Sequence, residues 1–322
     1  MALIHMVNPR ITAAICTYNR YDRLPHAIAS VANQSLSARD VEILVIDNSP
    51  DPVQSKAVSA CFGHVPNLRW VIEKTIGLSN ARHVALDLAR SQLIAFMDDD
   101  AIAAPNWLET LIAVFAEFGD AARVVGGRVV PLWDAPRPLW LPDRLLGFVS
   151  VVDWGGTARF AGKEEWVAGT NIAFRVEALK AVGGFPLHLG RKRGGQTLLS
   201  NDETEVIGKI AAKGGRLIYA PDATVEHLVP AERLTQSWFR RRAVWQAVSD
   251  YMLDSERAFE NARDCWRGVT QFFARLPPKD RTPRGLYVDQ HEPDMFDMQM
   301  SALYNFTIAL LSGFNGLDGM SA

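Results

Sequence analysis

Cysteine is scarce in this 322-residue chain, which contains only three. Cys16, Cys61 and Cys265 are odd in number, lie far apart in the sequence and form no CxxC pair. Neither a disulfide framework nor a zinc site is therefore indicated, and the pattern favours a reducing compartment such as the cytosol.

The chain also has no excess of charge of either sign. Its 34 Lys and Arg stand against 36 Asp and Glu, which gives a formal net charge of −2. A general nucleic-acid-binding protein normally carries a basic surplus, so we expect no nucleic-acid partner.

Long apolar runs are missing too. No stretch reaches the roughly 18 consecutive apolar residues that indicate a membrane-spanning helix, and the N-terminal MALIHMVNPRI lacks the apolar core of a signal peptide. The sequence therefore predicts a cytoplasmic protein. The apolar segment SALYNFTIALLSGF near the C-terminus is predicted to be a packing or dimer helix, with contact at a membrane surface as the alternative.

The first 120 residues alternate between two periodicities. Short apolar strands are predicted at 10–19, 41–49, 67–74 and 92–98, and helices at 23–35, 52–62, 77–91 and 105–118. Such alternation is typical of an α/β fold, a Rossmann-like, mostly parallel sheet with helices on both faces. Neither GxGxxG nor GxxxxGK[ST] occurs, which disfavours a dinucleotide site and a P-loop.

The second half of the chain is less regular. The Trp- and Pro-rich segment 124–145 is expected to cross the sheet as irregular structure, and RKRGGQT is expected to form a loop that either closes over a ligand or is only solvated. A strand and short helix are predicted within 164–185, an acid-capped helix at 202–214, a strand at 216–228, and helices at 235–275 and near the C-terminus, separated by a linker at 276–285.

Polar residues follow the predicted strands of the first half. Asp47 ends the second strand, and an acid triplet of Asp98, Asp99 and Asp100 ends the fourth, in QLIAFMDDDA. Three adjacent carboxylates repel one another, so the triplet indicates either a bound cation or a solvated turn. Since ligands of parallel α/β sheets bind beyond the carboxyl ends of the strands, we expect these residues to share one site.

Six segments together resemble a known family. They are ICTYNR, VEILVIDNSPD, IGLSNARHVAL, LIAFMDDDAIAAPNWL, GTNIAFRVEALKAVGGF and SNDETEVIGKIAAKGGRLIYAPDATVEH. Their order and spacing resemble the inverting glycosyltransferases of family 2 with the GT-A fold. The QxxRW signature of the membrane-embedded synthases is missing, so the resemblance is to a soluble, non-processive type.

The resemblance implies a division of the chain. Residues 1–230 would form the GT-A domain, with a nucleotide-binding half at about 1–120 and an acceptor-side half at about 121–230. Residues 231–322 would form a C-terminal helical region, and self-association through its helices is left open.

The resemblance also implies a donor and a metal. The donor would be a nucleoside-diphosphate sugar, UDP-linked first and dTDP-linked second, bound with Mn²⁺ or Mg²⁺ held by Asp100 and His227. The implied donor-binding residues are Thr17, Asn19, Arg20, Asp47, Asn80, Arg82, Asp98 and Asp99. The residues alone leave alternatives open: an Asx turn at Asp47, a solvated helix face at Arg82 and an ordinary core or surface role for His227.

An inverting transfer needs a carboxylate that takes the proton of the acceptor hydroxyl. By resemblance this base is Glu203, with Asp202 as the second candidate. The alternative is that these acids only favour the helix dipole. The implied acceptor-side residues are Trp166, Gly169, Thr170 and Asn171, and Trp133, Trp140 and Trp154 are candidates for either sugar stacking or core packing.

The implied function is a metal-dependent hexosyl or deoxyhexosyl transfer to a hydroxyl of a saccharide, a lipid-linked glycan or a small molecule, as in polysaccharide biosynthesis. The basic patch of Arg240, Arg241 and Arg242 would bind a phosphorylated or lipid-linked acceptor, touch headgroups at the inner face of the membrane, or pair within its own region. The rival functions are a nucleotidyltransferase of similar fold and a non-catalytic glycan-binding relative.

Overall fold

The computed structural model describes residues 8–190 and 197–313. Arg191 and Arg193 of the predicted loop lie outside the described residues. Strands within the described part are β1 (Ile11–Thr17), β2 (Val41–Asp47), β3 (Leu68–Ile72), β4 (Leu93–Asp98), β5 (Ala101–Ala103), β6 (Ala122–Trp133), β7 (Arg159–Phe160), β8 (Ile172–Arg175) and β9 (Arg216–Val229). The α-helices are α1 (Leu24–Ala32), α2 (Pro52–Cys61), α3 (Leu78–Leu88), α4 (Trp107–Glu117), α5 (Val176–Ala181), α6 (Asp202–Ala212), α7 (Gln236–Leu253), α8 (Ser255–Arg275) and α9 (Pro293–Leu311).

The strands form one sheet in the order β3-β2-β1-β4-β8-β6-β9-β5, with β7 beside β9. The first four strands of this order pair in parallel. Beyond β4 the printed pairs are antiparallel, including β4 with β8 and β8 with β6. The predicted α/β class with helices around a central, mostly parallel sheet is confirmed, and the antiparallel strands extend it on one side.

Alternation along the central strands fills two separate cores. Ala13 and Ile15 of β1 pack with α1 and α4 on one face of the sheet. Ala14 of the same strand points to the opposite face, where it packs with residues of α3 and α6. A strand buried on both faces must be apolar at every position, which explains the continuous hydrophobic runs.

The prediction of irregular structure at 124–145 is wrong for its first part, where β6 runs to Trp133. Val124 and Val125 are buried and pair with Phe174 and Ala173 of β8. At the neighbouring Gly127 only glycine fits, because a Cβ there would overlap the carbonyl of Ala223. Glycine in a central strand therefore marks close backbone approach here and does not interrupt the strand.

The described residues fall into two compact units. One comprises 8–132, 150–190 and 202–228 and contains most of the sheet, and the other comprises 133–149, 197–201 and 229–313. In the second unit Ala247, Ala258 and Ile308 of the three C-terminal helices share a core. The functional division into nucleotide-binding, acceptor-side and C-terminal parts stays a prediction.

Candidate active site

The register of the parallel strands aligns the polar strand ends. Thr17 of β1 is the partner of Asp47 on β2, and Cys16 is the partner of Asp98 on β4. Three strands thus end at one level, and their last residues lie side by side at the carboxyl edge of the sheet. This is the edge at which α/β proteins bind their ligands.

The acid triplet at this edge is unequally buried. The side chain of Asp98 is 34% exposed, whereas Asp99 and Asp100 are buried. Burial, together with the charge of Asp100, raises the pKa of Asp99 to about 7. Arg20 offsets part of this charge, since its Nη1 lies 3.4 Å from Asp99 Oδ1 and also contacts Asp100 Oδ2.

His227 joins the triplet from a distant part of the chain. It lies on β9 and pairs with Ala101 of β5, the residue that directly follows Asp100. Its Nε2 is 3.3 Å from Asp100 Oδ1 and 4.0 Å from Asp98 Oδ2. Ligand atoms of Asp98, Asp100 and His227 all lie within 4.8 Å of one another. Two carboxylates and an imidazole form a donor set that suits a divalent cation such as Mn²⁺.

An acid pair, Asp202 and Glu203, begins α6 in the same unit. Arg82 of α3 bridges the pair, with its Nη1 2.8 Å from Asp202 Oδ2 and 2.8 Å from Glu203 Oε1. Its Nη2 lies 3.9 Å from Asp98 Oδ1. One guanidinium therefore links the acid pair to the acid triplet.

The two members of the pair differ in environment. The Asp202 side chain is only 4% exposed, whereas that of Glu203 is 17% exposed. Burial, and then the charge of Glu203, raises the pKa of Asp202 to about 8. Burial also acts to raise the pKa of Glu203, but Arg82 and hydrogen bonds outweigh it and the pKa is lowered. The pKa values of the two acids are thus shifted in opposite directions, so that Glu203 is the member of the pair that ionises first.

Asp47 is fully buried at the end of β2. Its carboxylate accepts hydrogen bonds from the Tyr21 hydroxyl, at 3.2 and 2.9 Å, and from the Ser49 backbone N–H at 3.0 Å. The last contact is the Asx-type turn that the sequence left open. Tyr21 was not predicted, although an aromatic residue directly after the polar turn TYNR is a signal for a side chain folded over this edge.

Two residues that are predicted to bind the sugar donor, Asn19 and Asn80, shape the loops at the same edge. The backbone of Asn19 has a φ of 54° and its N–H donates to the Ser49 hydroxyl at 2.8 Å. The Asn80 amide donates to the Thr75 carbonyl at 2.9 Å. Both side chains remain candidates for donor contact.

The four acceptor-side candidates lie on one segment but point differently. Trp166 is 36% exposed, and its carbonyl accepts from Trp154 Nε1 at 2.8 Å. Gly169 lies against Glu203 and Arg82, so closely that a Cβ would overlap the Glu203 carboxylate. Thr170 accepts the Asp98 backbone N–H at 3.3 Å.

Asn171, by contrast, is completely buried within the fold. Its Oδ1 accepts from Trp107 Nε1 at 2.8 Å, and its Nδ2 donates to the carbonyls of Arg128 and Ala223 at 2.8 and 2.7 Å. These bonds connect its side chain to α4, β6 and β9.

Other sequence candidates lie in the second unit. Trp140 packs edge-on against Phe239 and Phe296, as expected of a core residue. Arg240 of the basic patch is buried and donates to Asp289 Oδ1 at 2.7 Å. Arg242 donates to Gln246 Oε1 at 2.6 Å. At least part of the patch is therefore engaged within its own unit.

Comparison with known proteins decides the family. A family model described as Glycosyl transferase family 2 matches residues 12–182, slightly more than half of the chain. The chain belongs to glycosyltransferase family 2. This membership confirms the family that the motifs resembled and identifies the protein as a glycosyltransferase, which argues against the nucleotidyltransferase alternative.

Two curated relatives match most of the chain. A glucosyl-dolichyl phosphate glucuronosyltransferase of Haloferax volcanii is 28% identical over 248 residues, which are 76% of this chain and 77% of the relative. The succinoglycan biosynthesis protein ExoM of Rhizobium meliloti is 26% identical over 261 residues, 80% of this chain and 78% of the relative.

Solved structures share the fold. The mannosyltransferase PcManGT of Pyrobaculum calidifontis, in complex with GDP-Man and Mn²⁺, has a TM-score of 0.55 at 20% identity and covers 98% of this chain and 77% of its own. Residues 1–349 of TarS from S. aureus, in complex with UDP, have a TM-score of 0.54 at 17% identity, over 95% and 92% of the two chains. The GT-A fold is thus confirmed. Among the helices that the structure describes, none combines the length and apolar character that crossing a bilayer requires.

Proposed function

We propose that this family 2 member is a divalent-metal-dependent, inverting glycosyltransferase. The donor is a nucleoside-diphosphate sugar, UDP-linked first and dTDP-linked second, and the acceptor is a hydroxyl of a saccharide, a lipid-linked glycan or a small molecule. The observation that carries the proposal is the arrangement of the Glu203 carboxylate and the cluster of Asp98, Asp100 and His227 around one arginine, Arg82.

Glu203 is the better candidate for the base. A general base must be ionised and must reach the acceptor. Glu203 has the lowered pKa and the more exposed carboxylate, whereas Asp202 is buried and its pKa is raised to about 8. The second position of the acid pair is therefore the one that we assign as the base.

In the proposed reaction the acceptor oxygen attacks the anomeric carbon from the face opposite the diphosphate. Its bond to that carbon forms as the carbon–oxygen bond to the diphosphate breaks, and Glu203 takes the hydroxyl proton. The diphosphate leaves with the bonding electron pair, so negative charge develops near Arg20 and the strand ends.

A divalent cation would be held by Asp100 and His227, with Asp98 near enough to contribute an oxygen. The cation supplies electrostatic stabilisation of the developing diphosphate charge. The donor set fits this role, because hard carboxylate oxygens and a neutral imidazole both bind Mn²⁺.

The names of similar proteins support the substrate classes. The Haloferax relative is named for transfer to a dolichyl-phosphate-linked glucose, which is consistent with a lipid-linked acceptor. PcManGT is described with GDP-Man and Mn²⁺, and TarS with UDP. GDP therefore belongs in a donor screen beside UDP and dTDP. Contact with a membrane surface through the arginines of α7 remains part of the proposal, as does self-association through the C-terminal helices.

The first test is a thermal-shift screen of UDP, dTDP and GDP, each with and without Mn²⁺. A ligand present at 100 times its Kd stabilises the native state by about 2.7 kcal/mol. We expect one nucleotide to give a clear shift that depends on the metal. Equal, negligible shifts with all three would contradict the donor proposal.

Activity of matched variants is the second test. Glu203→Gln is expected to lower turnover at least about 100-fold, the usual contribution of a general base, while nucleotide binding is retained. Glu205→Gln is the control, since Glu205 lies in the same helical turn and pairs with Lys209. Full activity of Glu203→Gln with loss in Asp202→Asn would move the base to Asp202.

A further inference from the structure

Arg82 lies between two acidic clusters, the acid triplet and the acid pair. The family resemblance implied instead that it contacts the sugar donor. In the structure its Nη1 is shared between Asp202 and Glu203, both at 2.8 Å. Its Nη2 faces Asp98 at 3.9 Å. The guanidinium therefore already has carboxylate partners on two sides.

Packing holds this arginine in place. Its side chain is only 2% exposed. The guanidinium carbon lies 6.0 Å from the centroid of the Phe96 ring and 5.1 Å from that of Phe185. On another side is Gly169, whose lack of a Cβ admits both Arg82 and the Glu203 carboxylate. To bind a phosphate group from solvent, this confined guanidinium would have to break its ion pairs with the carboxylates, which is costly for a buried charge.

We propose that Arg82 is the positioning residue of the base: it holds the Glu203 carboxylate in place, as an anion, for the acceptor hydroxyl. The donor diphosphate is not its ligand. This inference rests on the proposed function, in which Glu203 is the base.

The surroundings of Glu203 support this assignment. Among the residues that the structure describes, the charged groups that face it are Arg82 from α3 and Asp202 from its own helix, with Asp98 of β4 beyond the guanidinium. Cys16 of β1 also lies near Arg82, but burial raises the pKa of its thiol to about 12, so it stays neutral. Within the part of the chain that the structure describes, Arg82 is accordingly the cation in contact with Glu203 that favours its ionisation.

The pH profile of turnover separates this role from a structural one. Loss of a cation beside a carboxylate raises the pKa of that carboxylate, by about 1–3 units for close pairs. In Arg82→Gln we therefore expect the acidic limb of kcat to move to higher pH by about one unit or more. Maximal kcat should fall at least about 10-fold, because the carboxylate is no longer held in line.

The conservative variant tests the geometry. Arg82→Lys keeps the positive charge but replaces the planar fork with a point charge. The acidic limb of the kcat–pH profile of this variant should stay near that of the wild type. Its maximal kcat should fall, because one ammonium group cannot hold both carboxylates in the same positions. The Kd of UDP with Mn²⁺ should change less than about 3-fold in both variants, a shift of under 1 kcal/mol.

Arg175→Gln serves as the matched control. Arg175 is also an arginine of the sheet-containing unit, but it donates to the backbone carbonyls of Ala122 and Gly119, at 2.9 and 3.0 Å. Its replacement is expected to lower the stability of the protein without moving the acidic limb of the kcat–pH profile. If Arg82→Gln does not fold, the double variant Arg82→Gln with Asp202→Asn removes a buried acid together with the cation, and the same shift is expected there.

Two results would overturn the inference. One is a loss of UDP affinity of 10-fold or more in Arg82→Gln, equivalent to about 1.4 kcal/mol, while the acidic limb of its kcat–pH profile stays where it is in the wild type. That result would make Arg82 a phosphate ligand. The other is a pH profile that matches the wild type in every folded variant. Full activity of Glu203→Gln would instead overturn the assignment of the base itself, so the two failures are distinguishable.

Discussion

Asp202 and Glu203 show how neighbouring acids acquire different properties. They are adjacent in sequence and share the same arginine, yet one is nearly sealed from solvent and the other is not. Burial and the charge of Glu203 raise the pKa of Asp202, whereas Arg82 and hydrogen bonds outweigh burial at Glu203 and lower its pKa. Nothing in the letters NDETE distinguishes the two, because helix orientation alone decides which side chain faces outward.

The raised pKa of Asp202 predicts a pH effect on stability. Between about pH 4, its unfolded pKa, and about 8, the folded protein keeps a proton that the unfolded chain has lost. The contribution of Asp202 to the free energy of unfolding therefore decreases as pH rises through this window. Asn cannot titrate, so Asp202→Asn should gain stability relative to the wild type from pH 5 to pH 8.

Urea denaturation of both proteins at several pH values measures this difference. The Glu205→Gln variant controls for loss of an acid in the same helical turn, and its stability relative to the wild type should show no such rise. Parallel stability curves for Asp202→Asn and the wild type would contradict the raised pKa.

Individual elements were predicted well wherever periodicity was strong. The predicted helix at 105–118 is observed as α4, and the strand at 92–98 as β4. Prediction failed at β6, because segment 124–145 was interpreted from its Trp and Pro content, whereas its first part, VVGGRVV, continues a strand. The reason for the glycines lies elsewhere in the chain, since a Cβ on Gly127 would overlap the backbone of β9 and one on Gly126 would overlap Val167. A single sequence does not show which backbone approaches which.

Asn171 illustrates how one side chain joins several elements. The resemblance placed it on the acceptor side, but its carboxamide makes three hydrogen bonds inside the fold, to Trp107, Arg128 and Ala223. Each buried polar group left without a partner costs about 1–3 kcal/mol. The structure therefore gives Asn171 a stabilising task whether or not an acceptor also depends on it.

We expect Asn171→Ala to lower the free energy of unfolding by about 2–4 kcal/mol, because three buried groups lose their partner. Asn106→Ala is the matched control, since Asn106 is exposed and its side-chain amide donates to Thr110 Oγ1 at 3.2 Å. It should change stability by less than about 0.5 kcal/mol. A stable Asn171→Ala protein with altered acceptor kinetics would contradict this expectation.

The molecule as a whole separates its candidate chemistry from its helical region. The acid triplet, His227, Arg82 and the acid pair all belong to the sheet-containing unit. The other unit has its own core, built by α7, α8 and α9. A donor bound with its metal should accordingly stabilise the first unit directly.

Amide hydrogen exchange with and without nucleotide and Mn²⁺ tests this separation. Protection is expected to increase at the loops after β1, β2 and β4 and around His227, and to change little in α8. The Asp100→Ala variant should lose the metal-dependent part of the protection. Asp222 is an exposed acid on β9, and the Asp222→Ala variant should keep that protection. Protection centred on α8 would contradict the location of the site.

The amino-acid sequence by itself determined the alternation of strands and helices, the family, and the residues that gather at the carboxyl edge of the sheet. These follow from local periodicity, and from motifs whose order is visible along the chain. Only the tertiary structure brought His227 to within 3.3 Å of Asp100, buried Asp202 more deeply than Glu203 and placed Arg82 between the two acidic clusters. Such relations depend on strand register and on the packing of segments more than a hundred residues apart. The burial and the ion pairs that shift the pKa of each carboxyl group exist only once those segments meet.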